Sequence, residues 1–165
     1  MAMLTLLSKD EKPVKVDRDA AVSASLVLHD LLDDQPVPQE GEEGDPIPIP
    51  VCDGAALQLV VDYMTLRKGN PPREIEKPLK DNLFDVLDEK DKGFLKPLNE
   101  DQVIALAVTA GFLNYPALRD LASARLAEWI KEKSVEEIRA LFGVENDFTP
   151  EELAALRKEH GLDRL

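Results

Sequence analysis

The segment Asp45-Pro-Ile-Pro-Ile-Pro-Val51 constrains the fold more tightly than any other stretch of this 165-residue chain. Proline lacks an amide hydrogen, so in an extended strand Pro46, Pro48 and Pro50 turn three missing donors to one side. Only the other side retains donors. Such a strand pairs along one edge and never sits centrally, which predicts a small sheet with this segment at its margin. A second extended region opens the chain. Residues 3–7 and 13–16 flank the polar Ser8-Lys9-Asp10-Glu11, the pattern of a hairpin.

Apart from the proline segment, everything after residue 17 reads as helix or loop. Residues 20–34 carry Leu28, Leu31 and Leu32, with Val27 and Leu31 four apart, and predict one or two short helices. Leu57, Val60, Val61 and Met64 recur at i, i+3, i+4 and i+7, an amphipathic helix over 54–68. Residues 83–95 read as a short helix or turn. Asn99 with Gln102 forms a capping box, Leu98 and Val103 occupy hydrophobic-staple positions, and Val103, Leu106, Ala107 and Ala110 make the inner stripe of the helix that follows. Tyr115-Pro116 restarts the chain into a helix with Leu118, Leu121, Ala122, Leu126 and Trp129 on one face. Ser134 with Glu137 and Thr149 with Glu152 are two further capping boxes, the second with Pro150 at the first helical position. Phe148 and Leu153 stand at staple positions around Thr149.

Two stretches read as mobile loops, about 35–45 and 69–82, because each holds too little apolar area to offset its ordering entropy. Thirty-three acidic against twenty basic residues give a net charge of −13, which repels phosphate backbones and anionic membrane surfaces. No nucleic acid or membrane partner is expected. The apolar runs are too short to span a bilayer. Cys52 is the single cysteine and no signal-peptide pattern opens the sequence, so a reducing cytoplasmic or nuclear setting fits. His29 and His160 lie far apart and Cys52 lacks a partner thiol, so no metal site or cofactor is expected. The acids of 40–45 read as a solvated loop. No phosphate loop, nucleophile elbow or kinase signature is present, and no catalytic residue is assigned.

The succession of Asp45-Pro-Ile-Pro-Ile-Pro, a helix ending before Asn70-Pro71-Pro72, then 132–139 (EKSVEEIR) and 144–152 (VENDFTPEE) resembles the Skp adaptor family from about residue 4 to 159. The most specific block, 136–152, joins two capped helices through Asn146-Asp147-Phe148. The resemblance implies an α+β chain with a BTB/POZ fold, a small mixed sheet under a helical layer, followed by two extra C-terminal helices. It divides the chain into a BTB/POZ-like domain over 1–131 and a helical F-box-binding extension over 132–165. It implies a non-catalytic adaptor of SCF-type ubiquitin ligases in the protein-degradation pathway, a hetero-oligomer that joins F-box proteins to the cullin amino-terminal domain. Many relatives of the fold dimerise, so weak self-association of the free chain is a further expectation.

Transferred residue by residue, the F-box-binding set is Ile138, Leu141, Phe142, Val144, Asn146, Phe148, Leu153 and Leu156, with Leu121 and Trp129 as a supporting floor. Asn146 and Asp147 are equally ordinary turn residues. Family members commonly end in a Trp-containing tail, and Leu162 stands in its place here. The cullin contact falls on Gly111 and Phe112, where the family usually shows Asn-Tyr; Phe112 is either a surface anchor or a core residue. That departure motivates a second reading, an F-box-binding subunit of a non-cullin assembly such as a kinetochore complex. Pro150 stands where some lineages carry a hydroxylated and glycosylated proline, although a helix start alone accounts for it.

The tail supports the family reading on physical grounds. From Ser134 onward it holds Ile138, Leu141, Phe142, Val144, Phe148, Leu153, Leu156, Leu162 and Leu165, more apolar side chain than two short helices bury against each other. Either these residues close the chain's own core, or a partner's helices cover them in a groove.

Overall fold

The computed structural model describes residues 2–33, 44–131 and 133–161. The acidic loop read over 35–45 therefore lies outside the described residues except for Gly44 and Asp45. The first strand, β1 (Met3–Ser8), pairs antiparallel with β2 (Pro13–Asp17), placing Leu4 opposite Val16 and Leu6 opposite Val14. These four side chains share the buried face, as the period-2 alternation requires. The alternating-proline segment forms β3 (Ile47–Ile49), parallel to β1 with Leu6 opposite Ile47 and Ser8 opposite Ile49. The strand order β2-β1-β3 leaves β3 at the margin, paired on one side only among the described residues. The missing proline donors thus fall where no ladder needs them.

The hairpin turn is built to meet a helix. Ser8 Oγ donates to Asp10 Oδ1 at 2.7 Å, and the same carboxylate oxygen accepts from the amide of Gly54 at 2.7 Å. Lys9 N donates to Cys52 O at 2.9 Å. These bonds seat the start of α3 (Gly54–Arg67) on the hairpin, and Asp53 Oδ1 caps it by accepting from Ala56 N at 2.8 Å. A Cβ on Gly54 would come within 2.7 Å of the Lys12 side chain, so the approach admits only glycine without rearrangement. Leu57, Val60, Val61 and Met64 are all buried, as their spacing predicts.

Between hairpin and β3 lie α1 (Arg18–Ala24), capped by Asp17, and α2 (Leu26–Asp33). Ser25 joins them and is itself buried; its hydroxyl donates to Leu113 O at 2.6 Å and accepts from Leu28 N at 3.1 Å. After α3, residues 69–82 form no regular element. Ile75 and Leu79 are nevertheless half-buried against the core, and Lys77 Nζ lies 2.7 Å from Asp120 Oδ2. The stretch 83–95, read as a short helix or turn, forms α4 (Leu83–Val86) and α5 (Glu89–Leu95).

The remaining core helices are α6 (Glu100–Phe112) and α7 (Pro116–Ile130). The Asn99–Gln102 capping box is complete in both directions, at 2.9 and 3.0 Å. Val103, Leu106 and Ala110 of the predicted stripe are buried, and Ala107 is half-buried. Replacing Asn99 with Ala removes the acceptor for an otherwise unpaired helix amide. The expected loss is about 1 kcal/mol in urea-induced unfolding, with the staple pair Leu98 and Val103 untouched.

Core cohesion also rests on one buried polar cluster. Arg67, at the end of the buried stripe of α3, places Nη2 2.5 Å from Asp91 Oδ1 and 2.7 Å from Asp88 Oδ1, while Tyr63 Oη donates to Asp91 Oδ1 at 2.9 Å. Burial, and then the neighbouring Asp91 charge, hold the Tyr63 hydroxyl far above its ordinary pKa, so it remains a donor. These bonds fasten α5 to α3.

The chain divides into two compact units, Met1–Lys131 and Glu132–Leu165. The first holds the sheet and α1–α7. The second contains α8 (Val135–Phe142) and α9 (Pro150–Glu159). No helix among the described residues is long and apolar enough to cross a membrane.

Candidate functional site

The second unit is organised by its helix ends. Ser134 Oγ accepts from Glu137 N while the Glu137 carboxylate accepts from Ser134 N at 2.7 Å. Thr149 and Glu152 repeat the arrangement, the return bond being 2.8 Å. The backbone amides of Ser134 and Thr149 hold the Glu137 and Glu152 carboxyls below the usual carboxylate range. At its other end α8 stops at Gly143, which takes the left-handed conformation at φ +64°, so that Val144 N reaches Arg139 O at 2.9 Å. Asn146 Oδ1 then accepts from Phe148 N at 3.4 Å, an Asx turn that delivers the chain to Thr149.

With the ends fixed this way, the helices leave their apolar residues uncovered. No residue of α8 or α9 is buried. Val135, Phe142, Val144 and Phe148 are exposed, Phe148 at 44%, and Ile138, Leu141, Leu153 and Leu156 are half-buried. An open cleft of about 810 Å³ runs through the unit, and Asn146, Phe148, Leu153 and Leu156 all line it.

Of the eight tail positions transferred from the family, Asn146, Phe148, Leu153 and Leu156 line this cleft. Ile138, Leu141, Phe142 and Val144 are not among the cleft-lining residues, whereas Val135, Arg139, Arg157 and His160 are. Spacing marks these additions: Val135 and Arg139 are i, i+4 on α8, and Leu153, Leu156 and Arg157 are i, i+3, i+4 on α9, with His160 at its C-cap seven residues beyond Leu153. Arg139 Cζ lies 5.9 Å from the Phe148 ring centroid, a cation–π contact that orients the ring. Pro150 is exposed at the first position of α9. Leu162 lies outside the described residues.

The two floor residues belong to α7. Leu121 is 1% exposed, a core residue of the first unit with no surface to offer a partner. Trp129 is half-buried, its ring 4.4 Å from Arg125 Cζ, and the same guanidinium lies 4.8 Å from the Phe84 ring and pairs with Glu128.

At the end of α6 Phe112 is a surface residue and not part of the core. Its ring is 42% exposed, and the adjacent Leu113 fills the core at 0%. Val108, one turn earlier on the same face, is also exposed. An added Cβ on Gly111 would meet nothing within 4 Å, so neither packing nor φ demands glycine there. Beside this helix end, Leu26 N donates to Asn114 O at 3.2 Å, and Leu26 and Val27 are exposed.

Comparison with known proteins matches two family models to this arrangement, the Skp1 family tetramerisation domain over residues 2–68 and the Skp1 family dimerisation domain over residues 116–162. The S-phase kinase-associated protein 1 homolog of Tetrahymena thermophila is 36% identical over 94% of this chain and 90% of its own length. The chain belongs to the Skp1 family. The E3 ubiquitin ligase complex SCF subunit sconC of Aspergillus flavus is similar at 34% identity, over 95% of this chain and 93% of that protein, and the one from Arthroderma benhamiae at 32%, over 95% and 92%. The first Skp1-family match covers the hairpin, β3 and α3; the second takes in α7, α8 and α9. Every C-terminal position assigned above, from Leu121 to Leu162, falls within the second match.

Proposed function

We propose that this chain is the adaptor subunit of an SCF-type ubiquitin ligase, holding an F-box segment on α8 and α9 and presenting the end of α6 to a cullin. The observation that carries the reading is the second unit, where two firmly capped helices leave Phe148, Leu153 and Leu156 lining an open cleft. Rigid ends with uncovered apolar faces suit helix-in-groove recognition. Burying a Leu or Phe stabilises by roughly 1.5–3 kcal/mol, so a few such anchors suffice for a lasting complex after association entropy is subtracted. The curated relatives named as SCF subunits support the same role. The chain contributes placement and no chemistry, and it works in a reducing cytoplasmic or nuclear compartment.

The test is co-expression with an F-box segment followed by gel filtration with the cullin amino-terminal domain. A stoichiometric three-component complex is expected. Failure to retain the F-box segment contradicts the reading, and retention without the cullin favours the non-cullin assembly. Phe112 is the surface anchor expected on the cullin side. Phe112→Ala is expected to weaken cullin capture by about tenfold, as for an interface residue worth more than 1 kcal/mol, while F-box binding and thermal stability stay unchanged.

A further inference from the structure

The cleft in the second unit has a charge opposite to that of the molecule around it. The whole chain carries 33 acidic and 20 basic residues, yet among the described residues the charged ones lining the cleft are Lys133, Arg139 and Arg157 against the single acid Glu136. Of the nearby acids, Glu137 and Glu152 are spent on the capping boxes and do not line the cleft. The cations share the cleft lining with the apolar Val135, Phe148, Leu153 and Leu156. Arg139 is anchored over the Phe148 ring, so its guanidinium sits beside the apolar floor.

From this juxtaposition we infer that the cleft selects an amphipathic helix whose apolar stripe is flanked by carboxylates, and discriminates against one with basic flanks. The inference rests on the F-box-adaptor reading and adds to it which flank chemistry the cleft accepts. Arginine pairs with carboxylates in a bidentate fork, so two guanidiniums fix the register of an incoming helix as well as attract it. The net charge of −13 opposes an acidic partner at long range. Attraction therefore acts within about a Debye length, roughly 8 Å at physiological salt, and its effect is on specificity more than on encounter rate. A basic-flanked helix gains from the distant field but meets Arg139 and Arg157 at contact, where like charges cost most.

The test uses the full chain and three synthetic helical peptides with one shared apolar stripe and flanks of Glu, Gln or Lys, measured by fluorescence anisotropy. The Glu-flanked peptide is expected to bind about tenfold more tightly than the Lys-flanked one at physiological salt, with Gln between. The gap is expected to narrow at about 1 M salt, where screening shortens to about 3 Å. Arg157→Glu alone shrinks the preference, and Arg139→Glu with Arg157→Glu reverses it. Equal affinities for all three peptides overturn the charge inference and leave the cleft as a helix site. Absence of binding by every peptide, Gln included, overturns the adaptor reading with it.

Discussion

Arg67→Met is expected to lower the stability of the first unit by about 3–5 kcal/mol, measured by urea-induced unfolding. Arg67 and Asp91 are 6% and 2% exposed, so losing the guanidinium strands a carboxylate in the core beside the Tyr63 hydroxyl. Much of the cost is that uncompensated charge rather than the net worth of the pair. Adding Asp91→Leu to Arg67→Met is accordingly expected to restore part of the loss, the remainder reflecting the Tyr63 donor left without an acceptor. A loss below about 1 kcal/mol for Arg67→Met contradicts the role assigned to the cluster. The same cluster sets an acid dependence. The bond from Arg67 holds the Asp88 carboxyl down at about 2. A folded-state pKa below the unfolded one stabilises fully above the ordinary carboxylate value, near 3.9, and the contribution is lost as pH falls through the folded pKa. Acid unfolding of the parent chain should therefore draw on Asp88 between about pH 4 and about pH 2, and Arg67→Met should remove that component.

Phe148→Asp is expected to weaken F-box binding by about 2–4 kcal/mol, the range of a central interface anchor, which corresponds to roughly thirtyfold to several hundredfold in Kd. The fold should barely notice. Phe148 is 44% exposed in the chain alone, and the capping box of α9 depends on Thr149 and Glu152, not on the ring. Leu156→Asp, half-buried on the same cleft, is expected to act in the same direction. Calorimetric titration of the folded variants separates this from a stability effect. A change of less than threefold for Phe148→Asp would remove the cleft from the interface.

Much of the architecture is legible because its signals are local. Proline at 46, 48 and 50 fixes the edge position of β3, and Asn99, Ser134 and Thr149 each mark a helix start that the hydrogen bonds reproduce. Where two apolar rows compete, sequence is mute. On α2, Val27 and Leu31 form one i, i+4 row and Leu28 and Leu32 another; only the second is buried. Phe112 and Leu113 pose the same problem, being neighbours about 100° apart on a helix, and the core takes the leucine. The Arg67 cluster joins residues 24 and 21 apart in sequence, a pairing with no local mark, although a cation three residues beyond Met64 on an apolar stripe was the available clue. At the candidate site the apolar excess was readable, but the division into cleft-lining and outlying residues was not. It depends on where Gly143 turns α8 back and how the Asn146 turn aims α9.

Amide hydrogen exchange across residues 135–160 of the full chain, with and without an F-box segment, bears on the uncovered faces of α8 and α9 themselves. The expected result is exchange in the free chain that slows sharply in both helices when the segment binds. Protection already complete in the free chain, or unchanged while the segment is bound, would contradict the adaptor reading.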